Sequence, residues 1–305
     1  MIKRPLTDKE KLEAILAATR MGRSELAKVL EVGYKSVYRW LDLGVKPHPA
    51  QSKDIDQLFK EHVDLRPVVL KLRRSYPDPL KILKTKDAVQ KEFFLQMTYH
   101  SNAIEGSRMT VRETETALEG KNVRGKELFE VLEAVNHRNA LIFVMQNVRP
   151  NFKINEAYLL KLHEIVMYNF AHKLPGKYRT GHVNLTNTDK ALPSPQMVPI
   201  KMRTFLKRLN RYGKDPLSKI ASDHYEFETI HPFFDGNGRV GRLLMATQLL
   251  SQGFPPAIVR IEDRYAYYMA LGKGDMGDFK NMIQMVCESV IRGYELLGST
   301  TDAAA

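Results

Sequence analysis

One stretch of twelve residues, HPFFDGNGRVGR at positions 231–242, constrains this chain more than any other. The residues before it, SKIASDHYEFETI, have the apolar spacing of an amphipathic helix, and Pro232 predicts that His231 leaves helical geometry at the end of that helix. The residues VGRLLMATQLL predict a second helix that begins at once. The sequence therefore places an imidazole and a glycine-rich loop between two helices.

The glycine-rich loop is suited to phosphate. Gly236, Asn237 and Gly238 allow positive φ angles, so that successive backbone N–H groups can point into one hollow. The free N–H groups and the positive dipole end of the following helix face the same hollow. Arg239 and Arg242 lie three residues apart on that helix, and we expect both guanidinium groups to meet a polyphosphate there.

Asp235 is a lone carboxylate among these cationic groups. It would repel phosphate unless a metal ion intervenes, and Mg²⁺ held by one or two carboxylates plus phosphate oxygens is the expected arrangement. The stretch has no Walker or Rossmann sequence, and an EF-hand fails because Arg239 and Val240 stand where a ligand and a glycine are needed. A glycine-rich turn with a core histidine is the alternative.

HPFFDGNGRVGR resembles the signature of the Fic family, HPFx[D/E]GNGRxxR, with every specified position filled. The resemblance extends over roughly residues 91–290 and implies transfer of AMP from ATP to a Ser, Thr or Tyr hydroxyl of a target protein. It implies that His231 takes the hydroxyl proton and that Asp235 holds Mg²⁺. It further assigns phosphate binding to Gly236, Asn237, Gly238, Arg239 and Arg242. A kinase-like branch of the family has lysine at position 238, so glycine there disfavours phosphate transfer.

A second match lies upstream, in the predicted helix DAVQKEFFLQMTYHSNAIEGSRMT. Ser101 and Glu105 line one side of its last turn, and Gly106 is a natural stop. SNAIEG resembles the family's inhibitory motif, [S/T]xxxE[G/N]. The resemblance implies an inhibitory helix at about residues 91–106, whose Glu105 pairs with Arg242 and blocks the site of the γ-phosphate. An exposed acidic residue at an ordinary helix end is the alternative.

Two later segments also resemble the family. GKYRTGHVNLTNTDKALPSPQMVPI alternates around HVNLT, breaks at 187–195 and resumes at MVPI, which predicts a β-hairpin. In Fic proteins such a hairpin is a flap that pairs with the target segment, and the resemblance is clearest at Gly176, Tyr178 and Arg179. RYAYYMALGKGD resembles the segment near the adenine, with Tyr268 as the candidate base contact. A surface hairpin and a core aromatic are the alternatives.

Composition sets wider bounds. The 305 residues, 43% of them hydrophobic, suffice for two domains with a real core. No apolar run approaches a membrane span, no signal peptide precedes MIKRPLTDKE, and the single Cys287 cannot form an internal disulfide. We therefore expect a cytoplasmic protein without structural zinc or a membrane partner.

The formal charge of +12 is uneven along the chain. Residues 1–91 hold 20 Lys/Arg and 12 Asp/Glu, a net +8, while residues 92–305 hold 27 and 23, a net +4. This asymmetry is typical of an appended module that binds nucleic acid or an acidic protein, although a solvated basic surface would also produce it.

The front of the chain predicts three short helices. Thr7 and Glu10 form a capping box for the first, DKEKLEAILAATR. SELAKVL, EVG and YKSVYRWLDLG then predict a helix-turn-helix with Val32 and Gly33 in the turn. The residues expected to face inward are Leu26, Ala27, Leu30, Val37, Trp40 and Leu41.

The outward face of the third helix carries Lys35, Ser36, Tyr38 and Arg39. This face resembles that of small bacterial DNA-binding regulators, where it enters the major groove. A module that docks a protein partner, or that only dimerises, is the alternative.

The sequence thus predicts a mostly α fold with a helix-turn-helix domain at residues 1–62, a linker at 63–90, a helical Fic domain with a small β-hairpin flap at 91–297 and a disordered tail at 298–305. The leading function is Mg²⁺-dependent AMP transfer from ATP to a protein hydroxyl, autoinhibited by Glu105. One alternative is removal of AMP from a modified protein, with Glu105 orienting a water. Another is a DNA-bound regulator whose Fic domain senses nucleotide. The expected partners are a target protein, DNA and a second copy of the chain.

Overall fold

The computed structural model describes residues 6–185 and 190–302 of the chain. Within these ranges regular secondary structure is helical throughout, which confirms the predicted mostly α class. Short 3₁₀ turns occupy Ala171–Lys173, Pro195–Met197 and Ile261–Asp263. The α-helices of these ranges are α1 (Asp8–Thr19), α2 (Arg23–Val29), α3 (Tyr34–Leu41), α4 (Pro49–His62), α5 (Arg66–Ser75), α6 (Pro79–Thr85), α7 (Asp87–Ile104), α8 (Val111–Leu118), α9 (Leu128–Asn147), α10 (Glu156–Val166), α11 (Val198–Leu209), α12 (Pro216–Ile230), α13 (Asn237–Ser251), α14 (Arg264–Asp275) and α15 (Lys280–Asp302).

The chain forms two compact units, Met1–Lys71 and Leu72–Ala305. The division falls within α5, whereas the first domain was expected to end at residue 62. Residues 63–90, expected to be a linker, contain α5, α6 and the start of α7. Pro67 and Pro79 lie in the first turns of α5 and α6. A missing N–H costs no helical hydrogen bond at that position, so these prolines begin helices instead of breaking them.

The first unit has the core that the helix-turn-helix pattern predicted. The capping box of α1 is confirmed, because the Glu10 N–H donates to Thr7 Oγ1 at 3.2 Å and the Thr7 N–H donates to Glu10 Oε2 at 2.8 Å. In the turn, the left-handed residue is Glu31 with φ 52°, while Gly33 caps α3 with φ −69°. The buried inward residues are Leu26, Ala27, Leu30, Val37, Trp40 and Leu41.

A fourth helix, α4, belongs to the first unit and was not predicted. It packs against α1, with Lys11 Nζ 2.6 Å from Asp56 Oδ1. The signal for its start is local, since His48 Nδ1 accepts from the Ala50 N–H and Pro49 follows as the first helical residue.

The second unit is built around α13. Every residue of this helix is buried except Gly238, so it is a core helix that contacts α7, α9, α10 and α12. Its N-terminus follows the glycine-rich loop directly, and α12 ends at the other side of that loop. The fold therefore holds the predicted functional stretch between two packed helices.

The β-hairpin prediction is wrong in its second strand. Residues 197–200, MVPI, lie at the junction of a 3₁₀ turn and α11. Pro195 and Pro199 occupy first-turn positions there, where proline favours a helix start over a strand. HVNLT has no regular secondary structure as far as Leu185, and residues 186–189 lie outside the described ranges.

Helix α15 continues to Asp302, into the segment expected to be a disordered tail, and residues 303–305 lie outside the described ranges. Among the described residues, no helix combines the length and the hydropathy that crossing a membrane requires.

Candidate active site

A pocket of about 360 Å³ lies in the second unit, where α12, α13 and α14 supply most of its lining and Glu105, directly after α7, lies in its wall. The groups suited to phosphate chemistry in its lining are His231, Gly238 and Arg242, and the carboxyl groups of Glu105 and Glu228 line the same pocket. Apolar and aromatic surface comes from Leu185, Leu192, Tyr225, Tyr267, Tyr268 and Leu271. The pocket thus combines an imidazole, a helix N-terminus and a guanidinium with surface that can hold a planar base.

His231 lies where α12 ends, with φ 48° and ψ 63°, as Pro232 predicted. Its Nδ1 is 3.3 Å from the Glu228 backbone carbonyl. A carbonyl only accepts, so Nδ1 carries the proton and Nε2 keeps a lone pair. Burial lowers the pKa of His231, which keeps the ring neutral near pH 7. The ring is therefore in the tautomer and charge state of a base.

Arg179 fastens the loop that carries His231. Its side chain is 2% exposed, and Nε donates to the His231 carbonyl at 2.8 Å. The other two nitrogens donate to the carbonyls of Gly181 at 3.0 Å and Pro193 at 2.6 Å. One buried guanidinium thus joins the backbone of His231 to the segment that was predicted to form the flap.

We expect Arg179→Met to lower the unfolding free energy by about 2–4 kcal/mol, because three carbonyls lose a charged donor in a buried place. Urea unfolding measures this loss. Arg203→Met on the exposed face of α11 is the matched control and should change stability by less than about 0.5 kcal/mol. Equal effects of the two changes would contradict the role given to Arg179.

The side chain of Asn237 hydrogen-bonds back to the backbone of the glycine-rich loop. Asn237 Nδ2 donates to the Phe233 carbonyl at 2.9 Å, and Asn237 Oδ1 accepts from the Phe233 N–H at 2.9 Å. Gly236 has φ 77°, and an added Cβ would lie 2.8 Å from Met167 Sδ. Asn237 and Gly238 are already helical, so the expected run of positive φ angles is wrong beyond Gly236.

Asp235 and Arg239 form a cluster outside the pocket lining. Arg239 is 3% exposed and lies 2.7 Å from Glu133 and 3.2 Å from Asp235. Lys173 Nζ is 3.3 Å from Asp235 Oδ2, and the Gly236 N–H donates to Oδ1 at 2.6 Å. Burial favours a raised pKa for Asp235, but Arg239, this N–H and Lys173 outweigh it and lower the pKa. The two guanidinium groups of α13 therefore do not lie in the same cavity.

Arg242 joins α13 to α7. Its Nε donates to Ser101 Oγ at 3.0 Å, and Nη2 donates to the Ser101 carbonyl at 2.9 Å and to Glu105 Oε1 at 2.7 Å. Nη1 is buried without a hydrogen-bond partner among the described residues. Gly106 follows with φ 106° and ends the helix at Glu105. The structure thus brings Ser101, Glu105 and Arg242 together.

Gly238 is the position that lets Glu105 approach. An added Cβ at Gly238 would overlap Glu105 Oε1 and lie 3.1 Å from Arg242 Nη1. The carboxylate therefore lies against the N-terminus of α13, which is where the sequence predicted an anion to bind.

His163 ties α10 to the same loop. Its Nδ1 accepts from the Gly176 N–H at 2.9 Å, so Nε2 carries the proton and donates to the Asp235 carbonyl at 3.1 Å. The ring stacks on Phe233 with centroids 3.7 Å apart. His163 is fully buried, and burial lowers its pKa to about 4.

Acid is expected to destabilise the second unit through buried histidines. Burial lowers the pKa of His137 and His224 to about 3 and of His163 to about 4. The unfolded chain therefore binds more protons below pH 6.5, and the unfolding free energy falls as pH drops toward 4, by roughly 2 kcal/mol per histidine at about pH 5. Urea unfolding at about pH 7 and about pH 5 measures the loss, and His163→Gln should reduce it. Equal stability at the two pH values would contradict this cause.

Tyr268 lines the pocket, half-buried, with the Arg264 guanidinium 5.6 Å from its ring centroid. A cluster of three polar side chains near Tyr268 was not predicted from the sequence. Lys190 Nζ is 2.8 Å from Asp275 Oδ1, and Tyr225 Oη donates to the same oxygen at 2.8 Å. These residues come together only through the fold, and no local pattern marks them.

In the first unit, Lys35, Tyr38 and Arg39 are exposed on α3, and Ser36 is half-buried. Of the side chains predicted to face DNA, three are thus exposed, and Ser36 is only partly accessible. A role in DNA binding stays a prediction.

A model of the Fic/DOC family matches residues 153–249. A Nematostella vectensis protein named Protein adenylyltransferase Fic is 34% identical over 258 residues, which cover 82% of this chain and 58% of that protein. A Fic domain containing signaling protein from Bacteroides thetaiotaomicron has a similar structure, with TM-score 0.69 and 22% identity over 79% of this chain and 97% of that one. A Fic family protein from Desulfovibrio desulfuricans has TM-score 0.66 and 26% identity over 78% of this chain and 74% of that one.

The chain spans about three fifths of the Nematostella relative, at 58% of its length. The family match runs from before α10 into α13, so it contains His231 and Arg242 but not Glu105. At 22% identity, the likeness to the Bacteroides structure concerns the fold.

Proposed function

This chain belongs to the Fic/DOC family, and we propose that it transfers AMP from ATP to a Ser, Thr or Tyr hydroxyl of a target protein. One observation carries the proposal: His231, Gly238 and Arg242 line a single pocket, and Glu105 projects into it. A base, a helix N-terminus and a guanidinium can therefore act on one ligand.

The chemical step needs one proton transfer. The target hydroxyl oxygen attacks the α-phosphorus, the bond from that phosphorus to the bridging oxygen of the β-phosphate breaks, and pyrophosphate leaves. The hydroxyl proton passes to His231 Nε2, whose lone pair is free because Nδ1 faces a carbonyl. A positioned base of this kind contributes roughly 10²–10⁴ in rate.

Binding and charge stabilisation come from α13. Its first N–H groups and positive dipole end suit phosphate oxygens, and Gly238 leaves them open to a ligand. Arg242 offers its guanidinium to an outer phosphate. Arg239, paired with Glu133 and Asp235, instead holds the loop in place.

Glu105 restrains the reaction because its carboxylate binds the Arg242 guanidinium in place of a phosphate, with Oε1 2.7 Å from Nη2. A carboxylate and a phosphate cannot share that position, because both are anions. Ser101 holds Arg242 in the same place through two hydrogen bonds. We infer that ATP binds in a productive pose only when Glu105 moves away.

We propose that Asp235, which lies outside the pocket lining, would hold a Mg²⁺ ion together with phosphate oxygens. Its lowered pKa keeps it ionised, and its side chain is 38% exposed despite contacts with Lys173 and Arg239. One or two carboxylates plus phosphate oxygens are enough for Mg²⁺. When bound, the ion would neutralise charge on the phosphates.

The target segment is proposed to pair with the backbone of residues 182–185. Asn184 and Leu185 line the pocket, and Arg179 fixes the start of this segment to the His231 carbonyl. Main-chain pairing would bring a hydroxyl beside His231 while asking little of the target sequence.

Intact mass of the Glu105→Gly protein, incubated with ATP and Mg²⁺ alone or with a cell lysate, tests the proposal. We expect the mass of one AMP to be added to the protein itself or to a lysate protein. Removal of AMP from a previously modified protein by the unchanged chain would favour the reverse activity. Specific footprinting of DNA without any transfer would favour a nucleotide-sensing regulator.

A further inference from the structure

Glu228 lies in the last turn of α12, three residues before His231, and lines the pocket. Its Oε1 is shielded from solvent and has no hydrogen-bond partner among the described residues. A buried carboxyl oxygen without a partner is unfavourable, so a ligand group that reached this carboxyl and hydrogen-bonded to it would be stabilising.

The approach of Glu228 to α13 depends on a glycine. An added Cβ at Gly241 would overlap Glu228 Oε1. Gly241 precedes Arg242, so the carboxyl group reaches the backbone beside the guanidinium that is proposed to hold an outer phosphate.

Five titratable groups lie near this carboxyl along the chain or in the fold. Arg242 on α13 and Glu105, directly after α7, act on it electrostatically, Tyr267 on α14 lines the same pocket, and His224 and His231 flank it in sequence. Burial raises the pKa of Glu228 to about 8, Arg242 opposes this and Glu105 adds to it. Near pH 7 the group therefore carries its proton.

We propose that Glu228 contacts the bound nucleotide as a neutral carboxylic acid and donates a hydrogen bond to a ligand oxygen beside Arg242. The ionised form would repel a phosphate, whereas the acid form can donate to it. Arg242 Nη1, also buried without a partner, supplies a second donor on the same pocket. The inference rests on the proposed function only in taking the ligand to be a nucleoside triphosphate.

Binding should then be linked to the proton of Glu228. Above its pKa, the protein must take up a proton to bind, so the affinity falls by roughly tenfold between about pH 7 and about pH 9. In the Glu105→Gly protein the pKa of Glu228 starts lower, since Glu105 helps to raise it. The negative phosphates of the bound ligand then take the place of the Glu105 charge and raise the pKa of Glu228 again.

Titration calorimetry of the Glu105→Gly protein with a non-hydrolysable ATP analogue and Mg²⁺ tests this. Measurements at about pH 7 and about pH 9, in two buffers of different ionisation enthalpy, report affinity and proton uptake. We expect a loss of at least roughly tenfold, because the pKa of Glu228 starts lower in this protein, and a proton uptake on binding that is larger at about pH 9 than at about pH 7. Glu228→Gln, which keeps the shape and a donor, should bind alike at both pH values without that uptake.

Glu226→Gln is the matched control on α12, because Glu226 is paired with Arg208 and does not line the pocket. It should keep the pH dependence of the parent. Glu228→Leu should weaken binding at about pH 7, where the donor is lost.

The proposal is overturned if Glu228→Gln retains the parent's pH dependence, or if Glu228→Leu binds as well as the parent. Binding with the expected pH dependence but without AMP transfer overturns only the proposed function. No binding by any variant at either pH overturns both.

Discussion

Replacing Glu105 with glycine is expected to raise the rate of AMP transfer by about 10- to 100-fold, because one charge-assisted hydrogen bond to Arg242 is removed. The incorporation of label from ATP carrying it at the α-phosphorus measures the rate. ATP labelled at the γ-phosphorus should give no incorporation.

Glu119→Gly provides a matched control. Glu119 also caps a helix C-terminus and precedes a glycine, but it is exposed and pairs with Lys121. It should leave the rate unchanged. A rise of similar size in both variants would mean that loosening any helix end is enough, and would remove the specific role of Glu105.

In the Glu105→Gly background, His231→Ala should lower the transfer rate by about 10²–10⁴-fold, since the lone pair that takes the hydroxyl proton is lost. Binding of the ATP analogue should change little, because the imidazole serves the chemical step. His172→Ala, at an exposed position, is the control. Labelling by the His231→Ala protein at the parent rate would show that another residue is the base.

The local geometry around His231 was predictable because it depends on neighbours in sequence. Pro232 cannot follow a helical residue without strain, and of the two loop glycines Gly236 takes a positive φ. The position of the α13 N-terminus followed from the same few residues. In contrast, Glu105 and Arg242 are 137 residues apart, and no periodicity joins them. That pairing could be expected only from the family resemblance.

The direction of Arg239 was not predictable. Residues three apart on a helix share a face only broadly, and α13 is buried on every side, so each direction meets a different helix. Arg239 meets Glu133 on α9, while Arg242 meets α7. The roles of Arg179 and Glu228 depend likewise on contacts with distant backbone, which a single sequence does not reveal.

The hairpin prediction failed for another reason. Four alternating residues, MVPI, fit a strand and a helix start about equally well, and Pro195 and Pro199 decide for the helix. In the first unit, α4 was missed although its proline and capping histidine are helix-start signals.

A crystal structure of the Glu105→Gly protein with a non-hydrolysable ATP analogue and Mg²⁺ tests most directly whether Glu105 and an outer phosphate share one position. We expect an oxygen of the outermost phosphate within hydrogen-bond distance of the Arg242 guanidinium and the α-phosphorus beside His231. A triphosphate bound away from Arg242, or a base lying where the Glu105 carboxylate had been, would contradict it.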